Sequence, residues 1–370
     1  MMQRNMADSN HAAVGVAQHR SRARRWPVWR VWLLGALTPP ILGTALVAAT
    51  VKHWPDVGGL LTVARLTENL VPHLLVLSLI GAGVLGLIGG WRAAGLTVAV
   101  VAMGAALSVK AHHSRVRALA PETPVALRLL WFNVWHANET PPAQLIAALA
   151  DSPADIVILG EAAPLQPHLD ALAVHFPVQM GCRAERCELL ILSRRPLQSM
   201  QMHEIGSLRP ERLAVLKDET AEGPLTVVAM HWVKPWFFGF AEVDEWFALG
   251  TVQANPGPLV MVGDFNAAPW SARLRKLNSY CKLSAPWPPV ATWPTAAGPL
   301  GVPIDLALTR GGAVVVSQQP WGADLGSNHR GLLLEIGIRD IGTSLPCWRT
   351  VAPLPDPAPV RPPPGGAAPS

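Results

Sequence analysis

Acidic side chains are nearly absent between residues 31 and 109, and charged residues form only 15% of this 370-residue chain. Ordinary globular domains carry about 25% charged residues, so this segment cannot be the surface of a soluble domain. Cysteine is scarce as well. Cys182, Cys187, Cys281 and Cys347 fall at spacings that match no zinc site. Internal repeats are lacking, which excludes a solenoid or a propeller. The net charge of +5 invites a nucleic-acid reading, but much of the excess lies in Arg20, Arg22, Arg24, Arg25 and Arg30. Such a cluster beside an apolar run fixes the orientation of a membrane segment.

Half of the chain is hydrophobic, and three stretches concentrate it. Val31–Val51 would span about 31 Å as a helix, enough for a hydrocarbon core of roughly 30 Å. Pro39 and Pro40 lie inside it and predict a kink, which membrane helices tolerate. Leu70–Gly90 and Ala93–Val109 follow. A cleaved signal peptide would account for the first stretch alone, whereas two more directly behind it argue for an anchor. The expected organisation is a basic tail over residues 1–28 and a transmembrane module over 29–110, with helices at about 31–51, 70–90 and 93–109. A linker follows at 111–125, then a catalytic domain at 126–340 and a proline-rich tail at 341–370. Both tails lack the composition to pack. Three crossings starting from a cytoplasmic arginine cluster, with Arg92 in the second cytoplasmic turn, place Lys110 onward outside. Lys110, Arg115 and Arg117 on the outer side blur this bias.

From Leu127 on, short apolar runs alternate with helical segments. Strands are predicted at 127–133, 156–159, 189–192, 213–217, 226–231, 259–262, 304–308, 314–317 and 332–336. Helices fit at 142–150, 165–174, 243–251 and 272–278. The mixture predicts sheets covered by helices, an α/β domain. Cys182 and Cys187 bracket a short basic turn, where a hairpin disulfide and two free thiols are both compatible with the sequence.

Polar residues recur at the ends of the apolar runs. Asn133 closes the first strand, Glu161 follows the second, and His231 ends another. Asp264 and Asn266 follow 259–262, Asp305 opens a strand, and Asn328-His329 precedes the last one. Carboxylate, amide and imidazole are what phosphate-ester hydrolysis needs: a carboxylate to hold a hard divalent cation, amides to steady phosphate oxygens, and a histidine to move protons. Each residue alone has a bland explanation as a turn or cap; the ordered set is specific.

In sequence order, Leu129-Leu130-Trp131-Phe132-Asn133-Val134, Val157-Ile158-Leu159-Gly160-Glu161, Val228-Ala229-Met230-His231, Val262-Gly263-Asp264-Phe265-Asn266, Pro303-Ile304-Asp305 and Gly326-Ser327-Asn328-His329-Arg330 resemble the motifs of the endonuclease/exonuclease/phosphatase superfamily. The apolar module ahead of them resembles that of bacterial membrane-anchored members. The resemblance implies a four-layer α/β/β/α sandwich, two packed mixed sheets flanked by helices, preceded by a three-helix transmembrane module. It implies a phosphoric ester hydrolase dependent on Mg²⁺ or Mn²⁺, in the bacterial inner membrane as a multi-pass protein, with its catalytic domain extracytoplasmic.

Residue by residue, the resemblance implies Glu161 as the main metal ligand, with Asn133 and Asn266 touching phosphate or supporting the metal. Asp264 would orient or deprotonate the attacking water. His329 would serve as acid or base, held by Asp305, and His231 would contact phosphate or protonate the leaving group. The family usually has aspartate where this chain has Asn328, which should weaken metal binding while leaving a carbonyl oxygen as ligand. Trp135 stands where some nucleases place an acidic ligand. Trp232, Lys234 and Arg330 are candidate substrate contacts, although the aromatic-basic loop after His231 could stack on bases, touch lipid at the interface or simply pack against its neighbours. The substrate is a phosphate ester, either nucleic acid or phospholipid, and no feature marks an obligate protein partner. The rival reading, motivated by Asn328, is a membrane-tethered binding domain of the same fold with impaired catalysis.

Overall fold

The computed structural model describes residues 26–339, other than 56, 114, 184, 185, 206–208 and 238, together with Cys347. The two predicted tails lie outside the described residues except for positions 26–28 and 347.

Four helices open the described chain: α1 (Val28–Thr50), α2 (Gly58–Asn69), α3 (Val71–Leu87) and α4 (Trp91–His113). Helices α1, α3 and α4 pack on one another as a bundle. Two helical spans, Val28–His53 and Trp91–Lys110, are long and apolar enough to cross a membrane. A third such span results if α2 and α3, bent by 74° at their junction, count as one. Pro39 and Pro40 are accommodated inside α1. Helix α2 has no counterpart in the three apolar stretches, because its amphipathic pattern does not form a continuous apolar run.

A short strand β1 (Val116–Ala118) lies within the predicted linker and pairs in parallel with Ala285–Trp287. The strands and helices that follow are β2 (Val125–Asn133), α5 (Pro142–Asp151), β3 (Ile156–Gly160), α6 (Leu169–Ala173), β4 (Val178–Gly181), β5 (Leu189–Ser193), β6 (Ser199–Ile205), β7 (Arg209–Thr220) and β8 (Gly223–His231). After them come α7 (Phe240–Ala254), β9 (Leu259–Asp264), α8 (Ala272–Cys281), β10 (Ala285–Trp287), β11 (Asp305–Arg310), β12 (Ala313–Trp321) and β13 (Gly331–Ile338). Proline at the first turn of α5 and the Ser271 hydroxyl, which accepts from Leu274 N–H at the start of α8, fix those helix starts.

One sheet runs β11-β9-β8-β7-β6 and the other β12-β13-β2-β3-β5-β4. Their facing sides share a core that includes Leu129, Trp131, Ile156 and Ile158 from one sheet and Val227, Ala229, Val260 and Val262 from the other. Because side chains alternate along a strand, Val228, Met230 and Met261 point the opposite way, onto α7 and α8. Leu130, Phe132 and Val157 likewise point onto α5 and α6. The result is the expected four layers, α/β/β/α.

Two parallel pairs position the site. β2 and β3 are joined through α5, and β8 and β9 through α7, the crossover that parallel neighbours require. Their carboxyl ends lie on one rim, where ligands collect in sheets of this kind. The close pairing of β8 with β9 leaves no room for a side chain at Gly263, since a Cβ there would overlap the Met230 carbonyl.

Both cysteine pairs are disulfides, Cys182–Cys187 and Cys281–Cys347. The second corrects the reading of residues 341–370 as a segment that cannot pack: Cys347 is buried in the core beside α8.

Candidate active site

Strand register alone brings three site residues abreast. His231 pairs with Asp264 across β8 and β9, and Asp264 pairs with Asp305 across β9 and β11. In the facing sheet Asn133 pairs with Gly160, so Glu161 emerges beside it. Glu161 and Asn266 both adopt positive φ, at 46° and 47°. That backbone is costly for residues with a Cβ and is tolerated where surrounding contacts impose it, often at functional sites.

Asp264 is the hub. Its Oδ1 accepts from Asn266 N–H at 2.8 Å, and its Oδ2 accepts from Asn133 Nδ2 at 3.1 Å. The same Oδ2 lies 3.9 Å from Nε2 of His329 and 3.9 Å from Nε2 of His231. Asn133 in turn accepts from Trp135 N–H through its side chain, and its carbonyl accepts from the Ser327 hydroxyl at 2.6 Å. Asn266 Nδ2 donates to the Trp232 carbonyl.

His329 Nδ1 is hydrogen-bonded to Asp305 Oδ2 at 2.8 Å, leaving Nε2 toward the cleft. The loop that delivers it turns at Gly326, with φ of 74°, where a Cβ would overlap Thr140 and Asn138. Glu161 Oε2 accepts from the backbone and ring of His136, at 3.3 and 2.7 Å. Its Oε1 faces His231 Nε2 at 3.7 Å.

Burial and charge set the protonation states. Burial opposes ionisation of Glu161, but His231, the two His136 hydrogen bonds and Lys234 outweigh it and hold the carboxyl at about 2. Burial and the neighbouring Asp305 charge push Asp264 up to about 6, against the pull of His329 and His231. Burial also works against a charged His329, but Asp305, Asp264 and Glu161 raise it to about 9. A base in the physiological range thus stands beside a cationic imidazole, the divergence that separates acid from base roles.

The predicted site residues Asn133, Glu161, Asp264, Asn266, Asp305, Asn328 and His329 converge on this rim. Glu161, Asp264, Asn266, Asn328, His329 and Lys234 line a cleft of about 290 Å³. His231 stands one layer behind, 2% exposed, so it acts on Glu161 and Asp264 and not as a wall of the cleft. Trp232 corrects the reading of a substrate contact. It is fully buried, edge-on to Phe265 and under the Arg273 guanidinium at 4.4 Å. Arg330 donates to the Thr295 carbonyl and is not part of the cleft wall.

Sequence reasoning missed three contributors. Glu188 contacts His231 Nδ1 through Oε2 at 3.1 Å. Its signal was its place directly ahead of the apolar run 189–192, which ends up beside β3. His136 clamps Glu161 but carries no recognisable spacing. Leu66, Asn69 and Leu70 of the N-terminal module close the cleft from outside the domain.

The Endonuclease/Exonuclease/phosphatase family profile matches residues 130–329, more than half of the chain. The chain belongs to this family. No curated protein matches it. Among solved structures, an endonuclease/exonuclease/phosphatase from Beutenbergia cavernae is 17% identical with a TM-score of 0.45, covering 58% of this chain and 72% of that one. D. rerio TDP2 complexed with single strand DNA product is 16% identical with a TM-score of 0.47, covering 57% and 98%. Beta toxin from Staphylococcus aureus with bound magnesium ions is 14% identical with a TM-score of 0.42, covering 57% and 99%.

The residues present fit a hard divalent cation. Asn328 Oδ1 is buried without a hydrogen-bond donor and lines the same cleft as Glu161, and oxygen donors suit Mg²⁺ or Mn²⁺. Asp264, Asp305 and His329 offer three further ligand atoms within 4.8 Å of one another. Asp305, however, already accepts from Trp131 Nε1 at 2.7 Å with one oxygen and binds His329 with the other. That group is better used as a dyad than as a cage.

Proposed function

We propose that the chain is a membrane-anchored phosphoesterase that activates water at Asp264 and is assisted by Mg²⁺ or Mn²⁺ at Glu161 and Asn328. The observation that carries this reading is the Asp264 carboxylate, raised to about 6 and placed 3.9 Å from the Asp305-bound imidazole of His329. The oxygen of a water bonds to phosphorus while one of its protons passes to Asp264. The bond from phosphorus to the leaving oxygen breaks, and His329 Nε2 gives that oxygen a proton. Transfer of the proton from Asp264 to His329 restores both groups. Asn133 and Asn266 hold Asp264 in place, and Lys234 adds positive charge to the cleft. A bound divalent cation supplies charge stabilisation at the phosphoryl oxygens.

The alternative, a binding domain without turnover, rests on Asn328 alone, whereas the dyad and its carboxylate neighbour are intact. The test is a panel of bis-p-nitrophenyl phosphate, phosphomonoesters, DNA and lipid esters with Mg²⁺ or Mn²⁺. Wild-type turnover that Glu161→Gln and His329→Ala both abolish supports the hydrolase. Equal rates in wild type and both variants would remove it.

We also infer that the domain faces outward. Support comes from the arginine cluster ahead of α1, from three passes if the apolar helix α3 crosses with α1 and α4, and from two disulfides, which persist in oxidising compartments. A reporter active only in the cytoplasm, fused near Ala120, should be silent; activity there would reverse the orientation.

A further inference from the structure

Helix α2 turns two different faces to its surroundings. Its polar face grips the catalytic domain. Arg65 donates to the Pro235 carbonyl and pairs with Glu242. The Glu68 carboxylate accepts from Ala272 N–H and its carbonyl from Trp270 Nε1, while Asn69 Oδ1 accepts from Ala268 N–H. Four of these partners, Pro235, Ala268, Trp270 and Ala272, follow His231 or Asn266 within six residues, so the helix is fastened to the active-site loops themselves.

The opposite face is an apolar stripe. Leu60, Val63, Leu66 and, just past its end, Leu70 recur at helical spacing and are all exposed, as is Val57 ahead of the helix. Both charged residues of α2, Arg65 and Glu68, are buried against the domain. The helix lies across the direction of α3, at 74° to it. In chain order α2 sits between the candidate span α1 and the apolar helix α3, and an amphipathic helix so placed, with an exposed stripe, fits the plane of a bilayer surface.

That stripe leads into the catalytic cleft. Leu66 and Leu70 form its wall with Trp236 and Trp293, and the inner end holds Glu161, Asp264 and His329. Trp236 and Trp293 are exposed, and the carbonyl of Leu300, another exposed residue, bonds to His73 of α3. Lys234 is the one Lys or Arg among the described residues of this wall. A nucleic acid needs a run of cations to follow its phosphates, and this cleft has an apolar exit in place of one.

Resting on the hydrolase reading, we propose that the cleft takes its substrate sideways from the bilayer. The substrate is a lipid phosphate ester whose phosphate meets Glu161, Asp264 and His329. Its apolar chain leaves past Leu66, Leu70, Trp236 and Trp293 into the leaflet that holds α2. The membrane module is thereby a specificity element of the active site as well as an anchor. Hydrolysis proceeds with the bond changes given above, the lipid alcohol or the headgroup alcohol leaving with the proton from His329.

The experiment uses the full chain reconstituted into phosphatidylcholine vesicles with Mg²⁺. Vesicles carry long-chain phosphatidic acid or phosphatidylglycerol, and parallel reactions contain the dibutyryl forms, bis-p-nitrophenyl phosphate or single-stranded DNA. A long-chain ester should be cleaved with kcat/KM about 100-fold above its dibutyryl counterpart, since each buried methylene adds to binding. In L66Q/L70Q the ratio of long-chain to bis-p-nitrophenyl phosphate kcat/KM should fall about tenfold or more. Thermal unfolding checks that this variant folds, and W293A offers the same ratio test from the other wall.

Hydrolysis of DNA or soluble esters with refusal of every bilayer ester overturns the lipid assignment and leaves the hydrolase intact. Equal rates on long-chain and dibutyryl forms overturn it too. If no ester is cleaved faster than by Glu161→Gln, the hydrolase reading falls and this inference falls with it. Refusal of lipid together with a dimer that L60E/V63E splits into monomers would make the stripe a subunit contact instead.

Discussion

Asp305 holds His329 through a 2.8 Å hydrogen bond to Nδ1, and Trp131 Nε1 locks the other Asp305 oxygen at 2.7 Å. The imidazole therefore has one orientation, with Nε2 toward Asp264. Asp305→Asn keeps the size of the side chain but removes the charge that steadies the imidazolium. We expect kcat to fall by about 10²–10⁴ with KM little changed, the range for a lost acid–base partner. Steady-state kinetics on any ester of the panel measures it; a kcat within threefold of wild type would contradict the dyad.

Glu188 acts on His231 from behind the cleft, at 3.1 Å from Nδ1. It touches no substrate and is a positioning residue. Glu188→Gln should lower kcat by about 10–100-fold, the usual cost of an outer-shell partner. Apparent Mg²⁺ affinity should weaken with it, because His231 in turn faces Glu161. A purely structural role would lower the melting temperature and leave the metal titration unmoved.

Asn328→Asp should tighten metal activation. A carboxylate in place of the amide adds a formal charge to a site where Asn328 Oδ1 is buried without a donor. The Mg²⁺ concentration for half-maximal rate should drop by about tenfold, since ligand charge is a main lever on such sites. An unchanged or higher requirement would show that position 328 is not on the metal.

Arg212 and Asp244 form a fully buried ion pair that also frames the turn after β8. Arg212 Nη1 donates to Asp244 and to the His231 carbonyl, and Asp244 Oδ2 accepts from Val233 N–H at 2.6 Å. Asp244→Asn leaves a buried guanidinium short of its counter-charge. It should cost about 3–5 kcal/mol of stability. Denaturant unfolding reads this directly, and a loss under 1 kcal/mol would mean that water replaces the partner.

The Cys281–Cys347 disulfide closes a loop of 66 residues in sequence separation. Loop-closure entropy of that length is worth about 4 kcal/mol in the chain-entropy treatment. C281S/C347S should lose stability of that order while retaining turnover, because neither residue borders the cleft. Comparison of thermal unfolding with and without reductant provides a second measure.

The strands at 127–133, 226–231 and 259–262 were readable because continuous apolar runs mark strands buried on both faces. The strands β4 and β6 were not, since their side chains are only partly buried and mix polar with apolar types. Helix α2 escaped for a related reason: its two-faced pattern is too short and too polar to register as an apolar span. Trp232 misled because an aromatic beside a histidine at a strand end looks the same in sequence whether it faces the cleft or the core. Strand alternation and the Phe265 ring send it inward.

The order of polar residues at strand ends carried the resemblance to the family and, through that resemblance, the four-layer architecture, while composition marked the apolar N-terminal module. Local hydrophobic pattern and motif order carry that information along the chain. Which oxygens face which imidazoles is another matter, as is the place of Glu188 and His136 behind Glu161. Only the folded chain reveals those contacts, because they join residues far apart in sequence whose approach depends on register and burial. The same holds for α2 on the lip of the cleft, where a helix written more than 60 residues before Asn133 becomes part of its wall.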